Sequence, residues 1–185
     1  MINEVLNEAD GKMDKSVEAT REEFAAIRAG RANPAMFAKI TADYYGTPTP
    51  LQQLASFTSQ DARTIIVAPF DMGAMANIEK AIRDSDLGVN PSNDGKTIRC
   101  VFPELTEERR KEYIKVARTK AEEGRVSVRN VRRTAKQALE RMEKDGEVGK
   151  DDVTGAEKKL DATTKRHTDA IDEMLKNKEA ELLEV

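Results

Sequence analysis

Tryptophan is absent, aromatics make up only 4% of the chain, and cysteine and histidine occur once each. Each scarcity excludes something. A lone Cys100 cannot form an internal disulfide, and with His167 it cannot supply the four ligands of a structural zinc site. Cys100 falls in a predicted strand with no second histidine to activate it, and His167 falls in a helical seam, so both read as packing residues. Gly46, Gly73, Gly88 and Gly95 fit neither a phosphate loop nor a dinucleotide fingerprint. The carboxylate pairs Glu22-Glu23 and Asp151-Asp152 lie on charged surfaces, where acid/base sites are rare. No enzyme, cofactor or metal is expected. No apolar run approaches the ~18 residues of a membrane span, and no signal-peptide pattern is present, so the expected compartment is the cytoplasm.

What the chain has in abundance is charge, 35% of its 185 residues, arranged around narrow apolar seams. Ile114, Ala117, Ala121, Gly124, Val128, Val131, Ala135, Ala138 and Met142 alternate steps of three and four, which predicts one long helix from Glu107 to about Lys144. A second seam runs through Ile2, Val5 or Leu6, Ala9, Met13, Val17, Phe24 and Ile27 until Gly30 and Asn33-Pro34 stop it. A third follows a turn around Gly146 and Gly149, through Val153, Ala156, Leu160, Thr164, His167, Ile171, Met174 and Leu182. Helices of ~30–40 residues are ~45–60 Å long, so three of them form a rod.

Between residues 31 and 103 the period changes. Residues 40–45 and 64–68 are β-branched or aromatic runs. The first leads into the turn Gly46-Thr47-Pro48-Thr49-Pro50. Residues 71–83 return to helical spacing through Met75, Ile78 and Ile82. Pro91-Ser92-Asn93-Asp94-Gly95 then predicts a turn before a strand at residues 97–102, with Asp94-Gly95 as a hairpin signal. The expected fold is α+β: an elongated antiparallel three-helix bundle, residues 1–30 and 106–185, with a small inserted β/α/β domain, residues 31–105. Gly30, Arg31, Ala32, Asn33 and Pro34 on one crossing, and Pro103, Glu104, Leu105 and Thr106 on the other, are the expected hinge. Thr106 is also the expected N-cap of the second bundle helix.

Beside the seam of that second helix runs a basic stripe: Lys111, Lys115, Arg118, Arg125, Arg129, Arg132 and Lys136, with Glu122 as its one acidic interruption. From Arg109 to Lys136 there are eleven Lys or Arg against three acids. Like charges at helical spacing repel by ~0.2–0.5 kcal/mol per pair, a cost that an anionic partner removes. Nucleic acid is therefore the expected ligand. Residues 137–185, by contrast, carry fourteen acids against nine bases, so the net charge of −3 hides a local cationic face. Arg132, flanked by Val128 and Val131, is expected to lay its stem on the seam with its guanidinium free. A coiled-coil adaptor for an acidic protein is the alternative reading. A membrane-surface helix fits less well, because the apolar side is mostly Ala and Val without anchoring aromatics.

The runs Gly30-Arg31-Ala32-Asn33-Pro34, Tyr44-Tyr45-Gly46-Thr47-Pro48-Thr49-Pro50-Leu51, Asp86-Leu87-Gly88-Val89-Asn90-Pro91, Asp94-Gly95-Lys96, Leu105-Thr106-Glu107-Glu108-Arg109-Arg110-Lys111 and Val128-Arg129-Asn130-Val131-Arg132-Arg133 resemble those of the bacterial ribosome recycling factors. The resemblance covers essentially the whole chain. It implies a monomer with a three-helix bundle and a small β/α/β domain joined by two linkers. The implied function is to bind the post-termination ribosome through ribosomal RNA of the large subunit. Elongation factor G, hydrolysing GTP, then drives subunit splitting. No membrane is involved. Arg110, Arg129 and Arg132 match the arginines of the family's second bundle helix. With the stripe they give the expected RNA-binding set of Arg110, Lys115, Arg118, Arg125, Arg129, Arg132, Arg133 and Lys136.

Overall fold

The structure, a computed structural model, describes residues 1–184. In chain order its elements are α1 (Ile2–Ala26), β1 (Thr41–Tyr44), β2 (Thr47–Pro50), α2 (Leu51–Leu54), β3 (Ala55–Asp61), β4 (Thr64–Pro69), α3 (Met75–Arg83), β5 (Asn90–Asn93), β6 (Ile98–Val101), α4 (Glu107–Lys144) and α5 (Lys150–Leu183), with 3-10 turns at Pro34–Phe37 and Met72–Ala74. The fold is α+β, as expected. It divides into two compact units, Met1–Phe24 with Lys115–Glu179, and residues 25–114 with the chain from Ala180 onward. These divisions fall inside the three long helices rather than at residues 30 and 106.

In the helical unit the three seams meet. α1 buries Ala9, Met13, Val17 and Phe24, α4 buries Ala117, Ala121, Gly124, Val128, Ala135 and Leu139, and α5 contributes Val153, Ala156, Leu160 and Ile171. Leu139 takes the buried place expected of Ala138, since 3.6 residues per turn does not keep a strict seven-residue repeat on one face. At Gly124 α1 and α4 come close together, since a Cβ there would collide with Thr20 Oγ1 and lie 3.1 Å from Ile171 Cδ1. Nearby, the Ser16 and Ser127 hydroxyls hydrogen-bond at 2.7 Å. α4 ends in a Schellman motif in which Glu147 N–H donates to Met142 O and Gly146, at φ 73°, donates to Glu143 O. That turn makes α4 and α5 antiparallel neighbours.

The α/β unit has a four-stranded antiparallel sheet in the order β3-β4-β6-β5, plus a separate β1-β2 hairpin. Its core gathers Phe37, Leu51, Ile65, Val67, Ile78, Ile82, Ile98, Cys100 and Phe102. Three strands differ from expectation. Residues 47–50 form β2 rather than a turn, because Tyr45 and Gly46, both at positive φ, already reverse the chain. Residues 90–93 form β5 and residues 55–61 form β3, both at sheet edges, where Pro91 and an exposed polar sequence are tolerated. The Asp94-Gly95 hairpin forms as expected between β5 and β6, with Gly95 at φ 91°.

Both expected hinge segments lie in this unit and are hydrogen-bonded within it. Ala32 N–H donates to Ala62 O at 2.7 Å, and Phe102 N–H donates to Arg63 O at 2.7 Å, so the two crossings anchor on one turn. Ala32 and Leu105 are buried, and buried backbone groups must find partners. Asn33 caps the turn at Pro34–Phe37 by accepting from Ala35 N–H. Thr106 is the N-cap of α4, as expected, its hydroxyl accepting from Arg109 N–H at 3.1 Å.

Candidate nucleic-acid-binding face

The stripe residues from Lys115 to Lys136 share one face of α4, but the structure gives most of them partners that the sequence did not reveal. Arg118 Nε donates to Glu179 Oε1 at 2.6 Å. Arg125 donates to Asp172 Oδ1 at 2.9 Å and to Glu122 Oε2 at 3.1 Å. Arg129 donates to Glu122 Oε1 at 3.1 Å. Arg132 is not free: its Nε donates to Asp161 Oδ1 at 2.7 Å. The repulsion expected among these cations is therefore relieved within the molecule, because α5 runs antiparallel beside α4 and brings its acids opposite the stripe. Hydrogen bonds from Arg125 and Arg129 hold the Glu122 carboxyl below its usual range, and the Glu179 contact raises Arg118.

Other members of the set are less engaged. Lys136 lies 4.0 Å from Glu140, a loose pair. Lys115 and Arg133 are exposed, with no ion-pair partner among the described residues. Arg110 differs in kind. It lies in the α/β unit, where its guanidinium donates to the carbonyls of Leu105, Leu182 and Glu184. Those carbonyls at the end of α5 would otherwise be orphans, so Arg110 closes that helix.

Arg28 went unnoticed in the sequence. It is buried, its guanidinium donates to Pro103 O, and it sits 5.4 Å from the Phe102 ring centroid. Burial, chiefly, and then Arg63 hold it below the usual arginine value. The available signal was a cation four residues after Phe24 and next to Ile27, on the seam itself. A cationic group stacked on an aromatic and bonded to the second linker makes Arg28 a fastening for residue 103.

His167 is more than packing. Its ring lies between Thr163 O, 2.7 Å from Nδ1, and Asp14 Oδ1, 2.6 Å from Nε2, with Asp10 Oδ1 at 3.5 Å. The three side chains offer ligand atoms within 4.8 Å of one another, a grouping that the sequence could not show because α1 and α5 are so far apart along it. Arg166 already neutralises Asp10 at 2.5 Å, and the Asp14–His167 contact is closed by a hydrogen bond. The group thus works as a polar clamp between α1 and α5. Cys100 is buried in the α/β core, and desolvation pushes its thiol up to about 12, far from a nucleophile's range. Among the described residues no helix is long and apolar enough to cross a membrane.

Comparison with known proteins agrees with this arrangement. The family pattern described as Ribosome recycling factor matches residues 20–183. Over 185 residues, and the full length of both chains, the sequence is 81% identical to the ribosome-recycling factor of Nocardioides sp. and 65% identical to that of Kineococcus radiotolerans. A solution structure of a ribosome recycling factor, 35% identical, superposes with a TM-score of 0.76 over 100% of this chain and 98% of the other. The T. thermophilus ribosome recycling factor, described together with E. coli elongation factor G on the E. coli post-termination complex, is 41% identical with a TM-score of 0.69 over the whole of both chains. With a matching pattern over most of its length and full-length relatives well above 30% identity, the chain belongs to the ribosome recycling factor family of translation factors.

Proposed function

We propose that the chain binds the cytoplasmic post-termination ribosome as a monomer, placing the α4 stripe on ribosomal RNA of the large subunit, and that elongation factor G, through its own GTP hydrolysis, then drives it to split the subunits. The observation that carries this reading is the aligned row Arg118, Arg125, Arg129, Arg132 and Lys136, joined by Lys115 and Arg133, which have no ion-pair partner among the described residues. Exposed arginine forks such as those of Arg118 and Arg129 suit phosphate oxygens better than an apolar partner surface. The relative from T. thermophilus, described with elongation factor G on a post-termination complex, supports the choice of partners.

Residues 30–34 and 103–106 are proposed as the hinge. Their anchorage to the Ala62–Arg63 turn means that they would move with the α/β unit. A crosslink that stiffens these residues should keep ribosome affinity and slow splitting. A normal splitting rate in the folded, crosslinked protein would remove the hinge from the mechanism.

The direct test of the RNA face is ribosome affinity of Arg132→Ala across a range of salt, beside a thermal melt. Affinity should fall by about 1–3 kcal/mol, as for a charge-assisted contact, and the salt slope by about 0.7–0.9 for one phosphate no longer neutralised. Stability should change little, because Asp161 is 57% exposed and its carboxylate returns to water. Arg132→Lys should restore only part of the affinity, since an ammonium keeps the charge without the planar fork. Unchanged affinity and slope would sink the assignment of Arg132.

A further inference from the structure

We infer that Asp161, Asp172 and Glu179 of α5 act as tethered stand-ins for phosphate, setting how selectively the α4 stripe accepts RNA. This inference rests on the reading of α4 as the RNA face and adds a specificity device to it. The three arginines they hold, Arg118, Arg125 and Arg132, recur every seven residues, and each donates across to α5 at 2.6, 2.9 and 2.7 Å respectively. For Arg118 and Arg132, whose side chains are exposed, such pairing in register is poorly explained by stability, because exposed ion pairs contribute little to it, whereas Arg125 is only 19% exposed.

The geometry has two consequences. Arg118 and Arg132 are engaged through Nε, which leaves the terminal nitrogens of each fork available, and both side chains are exposed, 64% and 37%. A guanidinium has five N–H donors, so one edge held by a carboxylate fixes the direction of the other edge. The forks are thereby aimed before any RNA arrives, which lowers the ordering cost of binding a matching phosphate row. At the same time the carboxylates cancel much of the field. From Arg118 to Lys136 there are five cations in the row, and Glu122, Asp161, Asp172 and Glu179 lie within 3.1 Å of four of them. An RNA of arbitrary shape meets a weakened cationic field and gains less from it, whereas an RNA that fits the forks gains several directed contacts at once.

The test is the variant Asp161→Asn, Asp172→Asn, Glu179→Gln in the full chain, which removes three carboxylates and takes the net charge from −3 to 0. Affinity for ribosomes and for an unrelated duplex RNA is measured over a salt series, with a thermal melt. Binding to the unrelated duplex should tighten about tenfold or more, with a steeper salt slope, as expected when a cationic field is unmasked. Ribosome binding should gain much less, so the ratio of the two affinities falls. Equal gains on both, or no gain on the duplex, overturns the inference and leaves the pairs as ordinary surface contacts. If the triple variant melts early, the three single variants are read the same way, each expected to shift the duplex by about twofold. Arg132→Ala run in parallel separates the two ideas. If it leaves ribosome binding unchanged, the RNA face itself is wrong, but if it weakens binding while the carboxylate variants leave the duplex unaffected, only the selectivity device falls.

Discussion

In the α/β unit Phe37 and Phe102 meet edge to face at 6.0 Å, and Leu51, Ile65, Ile78, Ile82 and Ile98 close around them, all fully buried. In the helical unit α4 contributes mainly Ala117, Ala121, Gly124, Val128 and Ala135, facing Met13 and Phe24 on α1 and Leu160 and Ile171 on α5. One unit buries area with large side chains, and the other gains it by letting backbones approach. The difference follows from shape. A small sheet covered by short helices offers a thick core, whereas three parallel or antiparallel rods touch along lines, where bulky residues would push the axes apart. It also separates the roles, because a helix with a thin seam leaves most of its surface for charge.

The comparison would break first at the α/β core. Phe37→Ala removes a ring packed against both Phe57, at 5.0 Å between centroids, and Phe102. It should destabilise by about 3–5 kcal/mol, read from denaturant unfolding. A destabilisation under about 1 kcal/mol would mean that this core repacks freely and that the contrast with the bundle is superficial.

Next comes a pair of glycines within the helical unit. Gly124→Ala gains helix propensity, about 1 kcal/mol, but drives its methyl into Thr20, whose hydroxyl is committed to Ser16 O at 2.9 Å. Overpacking of this kind costs about 1–3 kcal/mol, so a net destabilisation is expected. Gly155→Ala in α5 meets nothing within 4 Å and should instead stabilise by about 0.5–1 kcal/mol. Thermal melts with opposite signs would establish that close approach, not flexibility, explains Gly124. A stabilised Gly124→Ala would refute it.

The three helices, their seams, the Thr106 cap, the Gly146 turn and the Asp94-Gly95 hairpin were all legible, because each depends on residues within a few positions of one another. The sheet was half legible. Ile65, Val67 and Ile98 announce buried strands, but β2, β3 and β5 are edge or hairpin strands rich in Pro, Ser and Asn, whose pairing is decided by neighbours rather than by propensity. The stripe was visible as a charge pattern, and its partners were not. Asp161 and Arg132 are far apart along the chain, and only the antiparallel return of α5 brings them together. The same holds for Asp14 with His167 and for Arg28 with Pro103, where folding brings together polar groups far apart along the chain.

A smaller effect distinguishes the two interiors chemically. Cys100 is the one thiol, and burial in the α/β core pushes it up to about 12. A raised value means that the folded state holds the proton longer than the unfolded chain does. The contribution is therefore fully present below the unfolded pKa, near 8.5, and is lost as pH rises through the folded value. Native protein should resist alkylation at pH 8.5, where the unfolded protein reacts, and Cys100→Ala should flatten part of the decline in stability above that pH. Rapid native alkylation would show that the core opens readily around β6.

The smallest expected effect concerns the turn between β5 and β6, which has no counterpart in the helical unit. Asp94 accepts from Thr97 N–H at 2.7 Å, Lys96 N–H at 2.9 Å and the Thr97 hydroxyl at 3.2 Å. The Thr97 amide first, and then that of Lys96, hold its carboxyl below the usual range. A depressed value contributes stability above the unfolded pKa, near 3.9, and that stability disappears as pH falls through the folded value. Asp71, with Gly73 N–H and two tyrosine hydroxyls on its carboxylate, is shifted the same way in the same unit, as is Asp61. The acid limb of the wild-type melt is therefore a sum, and the informative quantity is its difference from Asp94→Asn. The amide keeps one acceptor oxygen at the turn but does not titrate, so the two proteins should differ slightly at pH 7 and converge as pH falls below the unfolded value. A difference that stays constant from pH 7 to pH 2 would mean that Asp94 acts only through its shape, and that the turn owes nothing to its charge.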